Sequence, residues 1–184
     1  MKTTQSNGLI FYSGDLGSSA GARDFLAVEL SGGYIRYVFD VGSGPRAILQ
    51  SNRTTVDGGP AGRPVNDNAW HDVSISRPTV SRHVVRVDGV ASEDTLPDSR
   101  SVHFDLRADD LHIGGVARRM FAGGGGLGGG GGGGRLPRQV RSKDGFQGCL
   151  ASVELDGERW RLAQTRVEIP EEYVDLILEG CDGE

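Results

Sequence analysis

The chain of 184 residues carries a formal net charge of −5, and 36% of its residues are hydrophobic. That length suits one domain of sandwich or barrel size with room for a core. The acidic balance and the lack of a basic tail exclude a general attraction to nucleic acid, and no segment approaches the roughly 20 apolar residues needed to cross a bilayer.

In chain order, the first element is a short apolar strand, GLIFYS, at residues 8–13, bounded by Asn7-Gly8 and Gly14-Asp15. The stretch Asp24 to Gly44, DFLAVELSGGYIRYVFDVGSG, organises the rest. It alternates with period two on either side of Ser31-Gly32-Gly33, which predicts two half-buried strands joined by a tight hairpin turn. The ends of that hairpin, Asp24 and the residues after Asp40, are expected side by side at one rim. A further strand is predicted over Pro45–Gln50, followed by a long surface loop over 51–69. Strands are then predicted over Trp70–Arg77, with Val73 and Ile75 facing the core, and over Arg82–Asp88. These two are expected to pair, and Asp88-Gly89 marks a turn before a polar loop from Ala91 to Arg100.

Val102–Leu106 and Asp110–Ile113 read as short strands, the second stopped by Gly114-Gly115. Eleven of the twelve residues from Gly123 to Gly134 are glycine. Such a run cannot bury enough surface to order itself and is expected to be a disordered loop insertion, flanked by Arg118, Arg119, Arg135, Arg138, Arg141 and Lys143. From Gly145, FQGCLASVELDGERWRL predicts two strands around Asp156-Gly157. Tyr173–Leu178 is a last apolar segment, and Glu171–Glu179 is the only stretch with a helical turn. Short strands between turn signals, without helical periodicity, predict an all-β antiparallel sandwich or barrel.

The first ten residues, MKTTQSNGLI, lack the apolar region of a secretory leader, so the literal reading is a soluble chain that is not exported. Two features point outside the cell instead. Cys149 and Cys181 fit no metal or redox spacing; they read either as two buried thiols or as a disulfide, which would stabilise by roughly 3–4 kcal/mol in the chain-entropy model. Asn52-Arg53-Thr54 is an N-glycosylation sequon in a polar loop.

The spans DFLAVELSGGYIRYVFDVGSG, VNDNAWHDVSISR, DDLHIGG and DGFQGCLASVELDG, with the closing EGC, resemble a laminin G-like (LNS) domain. They follow that family's order and are most similar to the LNS repeats of the alpha-neurexins, above all the fifth. The resemblance implies one domain over residues 8–181 with a jelly-roll sandwich fold, and a C-terminal disulfide between Cys149 and Cys181, beyond which an EGF-like module is expected. It also implies a rim site for Ca²⁺. Asp24 matches the position of a side-chain ligand, Val41 that of a backbone carbonyl, and Phe104, with Asp105 beside it, the region of a third. The family begins with strands ahead of GLIFY, so the chain reads as N-terminally truncated, with a sheet edge left exposed.

Enzyme chemistry finds little support. His71, His83, His103 and His112 show no metal-ligand spacing, and no GxSxG elbow occurs. A jelly-roll glycoside hydrolase needs paired carboxylates, and Glu29, Asp40, Asp72 and Glu154 form no cluster on one face. The expected function is therefore non-catalytic: an extracellular recognition and adhesion module of a neurexin-like, single-pass surface protein. It would bind protein partners or neighbouring LNS and EGF-like modules through rim loops, with Ca²⁺ as cofactor. The alternative is binding of heparin or another sulfated glycan by the arginines around the glycine run.

Overall fold

The structure, a computed structural model, describes residues 1–14, 24–50, 62–96, 111–117, 120, 135–155 and 157–160. Its centre is the predicted hairpin. Gly32 and Gly33 take φ of 62° and 84°, the left-handed conformation that a tight hairpin turn requires. The flanking strands are β2 (Phe25–Ser31) and β3 (Tyr34–Asp40), paired in register from Ser31↔Tyr34 to Phe25↔Asp40. With β1 (Gly8–Gly14), β4 (Arg46–Leu49) and β8 (Leu111–Ile113) they form an antiparallel sheet in the order β4-β3-β2-β1-β8. A second antiparallel sheet has the order β5-β6-β7, from β5 (Val73–Ser76), β6 (Arg82–Val87) and β7 (Val90–Thr95). The last pair is β9 (Val153–Leu155) with β10 (Glu158–Trp160).

The two larger sheets share one core. Val28 and Leu30 of β2 and Ile35, Tyr37 and Phe39 of β3 meet Val85 and Val87 of β6 and Leu96. Removing such side chains from water is the main force holding the layers together, at about 25 cal/mol per Å² of apolar surface buried. The opposite face of the hairpin is buried as well, where the period of two predicted half-buried strands. Phe25, Ala27 and Val38 pack there with Leu9, Tyr12, Val116, Leu136 and Val140. The covering comes from the segment after the glycine run, which the sequence offered only as a basic flank.

That outer layer is clamped by a buried carboxylate. Glu29 has no exposed surface and stands across the hairpin from Arg36, whose guanidinium donates to it. Glu29 also accepts from the Arg141 N–H at 2.9 Å and from both the N–H and the hydroxyl of Ser142 at 2.7 Å. Arg36 donates in turn to the Gln139 carbonyl at 2.8 Å. A charge is tolerated at this depth because it is both paired and hydrogen-bonded.

Several boundaries differ from the sequence reading. Strand β5 begins at Val73, not Trp70, and Ile75 is 36% exposed where a core position was expected. Ile75 lies opposite the fully buried Val85, but β5 is the outer strand of its sheet as described, so the side chain sits at the margin of the core. Ala91–Thr95, expected as loop, is part of β7. Its polar side chains find partners next door: Glu93 accepts from Arg82 at 2.5 Å and Asp94 from Arg46 at 3.2 Å.

Strand β1 is not an edge, because β8 pairs along its other side. Residues 1–7 are tied to the body by reciprocal backbone bonds between Lys2 and Cys149 of 2.9 and 2.8 Å. The predicted strand Val102–Leu106, the Gly123–Gly134 run, the Asp156-Gly157 turn, the Tyr173–Leu178 and Glu171–Glu179 segments and the sequon at Asn52 lie at least partly outside the described residues.

Candidate functional site

The β2–β3 register that ends at Phe25↔Asp40 places Asp24 and Val41 opposite one another, one step further out at the rim. Val41 is held by its own side chain, which is buried in the shared core; that anchor fixes the backbone just where the strand ends. The chain then turns sharply. The Asp40 carboxylate accepts from the N–H groups of Gly42 and Gly44 at 2.9 and 3.1 Å, and Gly42 and Gly44 have φ of 80° and 98°. Asp40 is thereby committed to shaping the turn. Asp24 is not turned away from it: a Cβ placed on Gly42 would lie 3.7 Å from the Asp24 Oδ1 atom. A half-buried carboxylate and the Val41–Gly44 turn are thus neighbours.

This donor set is chemically selective. One carboxylate beside exposed backbone of a turn offers hard oxygen ligands, which suit Ca²⁺ and leave several coordination positions for water or a partner. Among the described residues no three His, Cys, Asp or Glu side chains cluster as a metal cage, so carbonyl oxygens would have to contribute. Phe104 and Asp105 lie outside the described residues. Cys149 is disulfide-bonded, and Cys181, the partner implied by the resemblance, also lies outside them.

The same rim carries other polar elements. Arg46, which opens β4, bridges to Asp94 of β7 and so joins the two sheets. Beneath that bridge lies His83, with no exposed surface. Its ring is stacked on Phe39 at 3.9 Å between centroids with planes 8° apart, and its Nδ1 is 3.3 Å from the Tyr37 hydroxyl. Burial, reinforced by the positive charge of Arg77, lowers the His83 pKa from 6.5 to about 4. The same burial pushes the Tyr37 hydroxyl up.

The opposite end of the sandwich holds a constellation the sequence did not single out. His71 is expected on a strand and lies just before one, its Nδ1 2.7 Å from Asp88 and its Nε2 2.8 Å from Asp67. Partial burial opposes its charge, but the hydrogen bonds accepted by the two aspartates outweigh that and raise its pKa above 6.5. Linkage gives the sign: the folded state holds the proton more tightly than the unfolded chain, so this contribution is complete below pH 6.5. It fades as the pH rises through the raised value. The i,i+4 spacing of Asp67 and His71 was the available signal; the two strands were expected to pair, but the contact from Asp88 needs their register, which sets Val73 opposite Val87.

The four carboxylates considered for hydrolysis do not assemble. Glu29 is enclosed by its donors and Asp40 is used by the turn, whereas Asp72 and Glu154 are exposed on separate segments.

A two-sheet antiparallel sandwich with this rim defines a class, and the chain belongs to it: the model of the Laminin G domain family matches residues 1–158. The jelly-roll β-sandwich expected from the sequence is the architecture of the chain. Among curated proteins it is 35% identical over 182 residues to neurexin-2 of Mus musculus and, equally, of Homo sapiens, covering 99% of this chain and 9% of the relative. The chain therefore spans about a tenth of the length of those relatives. Among solved structures, the LG1-3 region of the laminin alpha2 chain superposes with a TM-score of 0.50 and 22% identity, over 78% of this chain and 23% of that one. That likeness speaks for the fold alone.

Proposed function

We propose that this chain is a non-catalytic recognition module of an extracellular or cell-surface protein, in which the Asp24–Gly44 rim meets a partner protein with Ca²⁺ in the contact. The single observation that carries the reading is the register of the β2–β3 hairpin. It sets a half-buried carboxylate against the turn that follows a core-anchored Val41. Asp24 would supply a charged oxygen, the Val41 carbonyl a neutral one, and Asp40 would hold the turn in shape from behind. Bound Ca²⁺ would supply a hard positive charge with positions open to a partner's carboxylate or carbonyl oxygens. A site with one protein carboxylate binds in the weak range of extracellular modules, about 10⁻⁴–10⁻³ M.

The test is thermal. Millimolar Ca²⁺ is expected to raise the melting temperature of the wild type, and Asp24→Ala is expected to remove that rise while leaving the melting temperature in chelator nearly unchanged. A rise that survives Asp24→Ala takes Asp24 out of the site.

A second reading is favoured by one specific observation. Over residues 135–143 the basic residues Arg135, Arg138, Arg141 and Lys143 are exposed, while Leu136, Val140 and Ser142 are buried. A cationic strip is thus pinned to the sheet in an otherwise acidic chain, and guanidinium groups match sulfate geometry. Retention on a heparin column well above physiological salt is expected on this reading, with the double variant Arg138→Glu, Arg141→Glu eluting early. Elution of the wild type at low salt would remove the strip as a glycan site.

A further inference from the structure

The buried histidine lies directly under the rim. His83 is on β6, and its ring fills the space between the two sheets against Phe39, two residues before Val41 on β3. The titratable and charged groups that face it come from each neighbouring element: the Tyr37 hydroxyl from β3, Arg77 from the turn after β5, and Asp94 from β7, which Arg46 of β4 holds in an ion pair. The geometry points to an acid-sensitive prop: protonation of His83 expels its ring from its stack on Phe39, parts β3 from β6, and loosens the Val41–Gly44 turn. The loosening concerns the fold and stands whether or not the rim takes a cation; its consequence for binding rests on the function proposed above.

The physical argument is one of solvation. A neutral imidazole stacked on Phe39 is a flat, largely apolar body, and its Nδ1 meets the Tyr37 hydroxyl at 3.3 Å. A second proton makes both ring nitrogens donors and leaves a full charge among apolar rings. Attraction of the cation to the faces of Phe39 and Tyr37 recovers part of the cost, and Asp94 recovers some more. Neither offsets the lost hydration, as the lowered proton affinity of the ring indicates. The unfolded chain therefore binds the proton more tightly, and stability present above pH 6.5 is lost as the pH falls towards 4. From this group alone the folding equilibrium is about 20-fold weaker at pH 5 than at pH 7. His71 acts with the opposite sign above pH 6.5 and the partly buried Met1 amino group with the same sign below pH 8, so the share of His83 is the difference between the wild type and a variant without the imidazole.

The experiment measures the folding equilibrium by urea titration at pH 7 and pH 5, and the amide resonances of Gly42 and Gly44 across that range. Between pH 7 and pH 5 the wild type is expected to weaken by about 20-fold more than His83→Phe, with both glycine amides moving on the midpoint of the His83 ring resonance. His83→Phe keeps the stack and removes the proton site, so it is expected to keep only the dependence that His71 and the Met1 amino group supply. A variant that keeps the wild-type dependence overturns the inference. If His83→Phe does not fold, the wild-type ring resonance decides: titration near pH 6.5 without movement of Gly42 and Gly44 overturns it. Ca²⁺ titrations at the two pH values separate the consequences. No binding at either pH removes the cation reading and leaves the prop intact, whereas equal affinity at both overturns the link between them.

Discussion

Glu29→Ala is expected to be the most damaging single change at a position with no role in binding. The carboxylate is wholly buried, and it neutralises Arg36, itself buried. Removing it leaves a guanidinium in the interior whose remaining acceptor among the described residues is the Gln139 carbonyl, and it orphans the N–H groups of Arg141 and Ser142. Breaking one side of a buried ion pair costs about 3–5 kcal/mol. A domain typically has about 5–15 kcal/mol in total, so the variant should sit near the edge of folding at 37 °C.

Urea unfolding gives the loss directly. The double variant Glu29→Met, Arg36→Met is expected to recover most of it, because no unpaired charge remains. A loss below about 1 kcal/mol for Glu29→Ala would contradict the enclosure of that carboxylate, since only exposed pairs are worth so little. The segment that carries Arg138 and Arg141 is held by this clamp, so hydrogen exchange at Arg141 and Ser142 should quicken well before the core opens.

Phe39→Ala is expected to cost about 3–5 kcal/mol by the rule for deleting a buried aromatic ring. Phe39 is the meeting point of the layers, with Tyr37 at 4.8 Å and His83 at 3.9 Å between ring centroids. Removing the ring opens space beside the imidazole, and water entering there returns the proton affinity of His83 towards its ordinary value. The variant should therefore lose stability at pH 7 and also lose most of the dependence on acid. Phe39→Leu, which retains much of the volume, is expected to cost less. Calorimetry at pH 7 and pH 5 distinguishes these outcomes; a Phe39→Ala protein within about 1 kcal/mol of wild type would mean that the ring is not the contact between the sheets.

The central hairpin was legible because its pattern and its turn chemistry agree. Once Gly32-Gly33 is taken as the turn, the register follows, and with it Asp24 opposite Val41 and Glu29 opposite Arg36. What the pattern does not carry is the identity of the cover. Glu29 was weighed only as one of four strand carboxylates, because its other donors, Arg141 and Ser142, come from more than 100 residues further along the chain. Leu136 and Val140 stand four apart among arginines with Pro137 between, a spacing that a helix face and a strand face both allow, so two residues alone did not reveal their burial. β7 was missed for a related reason: VASEDT is polar, and its strand form depends on pairing with β6 and on ion pairs from Arg82 and Arg46. His83 carried no sequence signal at all. A histidine on an alternating strand looks the same whether it faces water or Phe39.

The claim on which the account rests is that the rim between Asp24 and the Val41–Gly44 turn is where this sandwich takes a divalent ion and meets its partner. Amide chemical shifts recorded during a Ca²⁺ titration at pH 7 test it most directly. Saturable changes centred on Asp24, Val41 and Gly42, absent in Asp24→Ala, are the predicted result. Changes centred instead on Asp67, His71 and Asp88, or none at the rim at millimolar Ca²⁺, would contradict it.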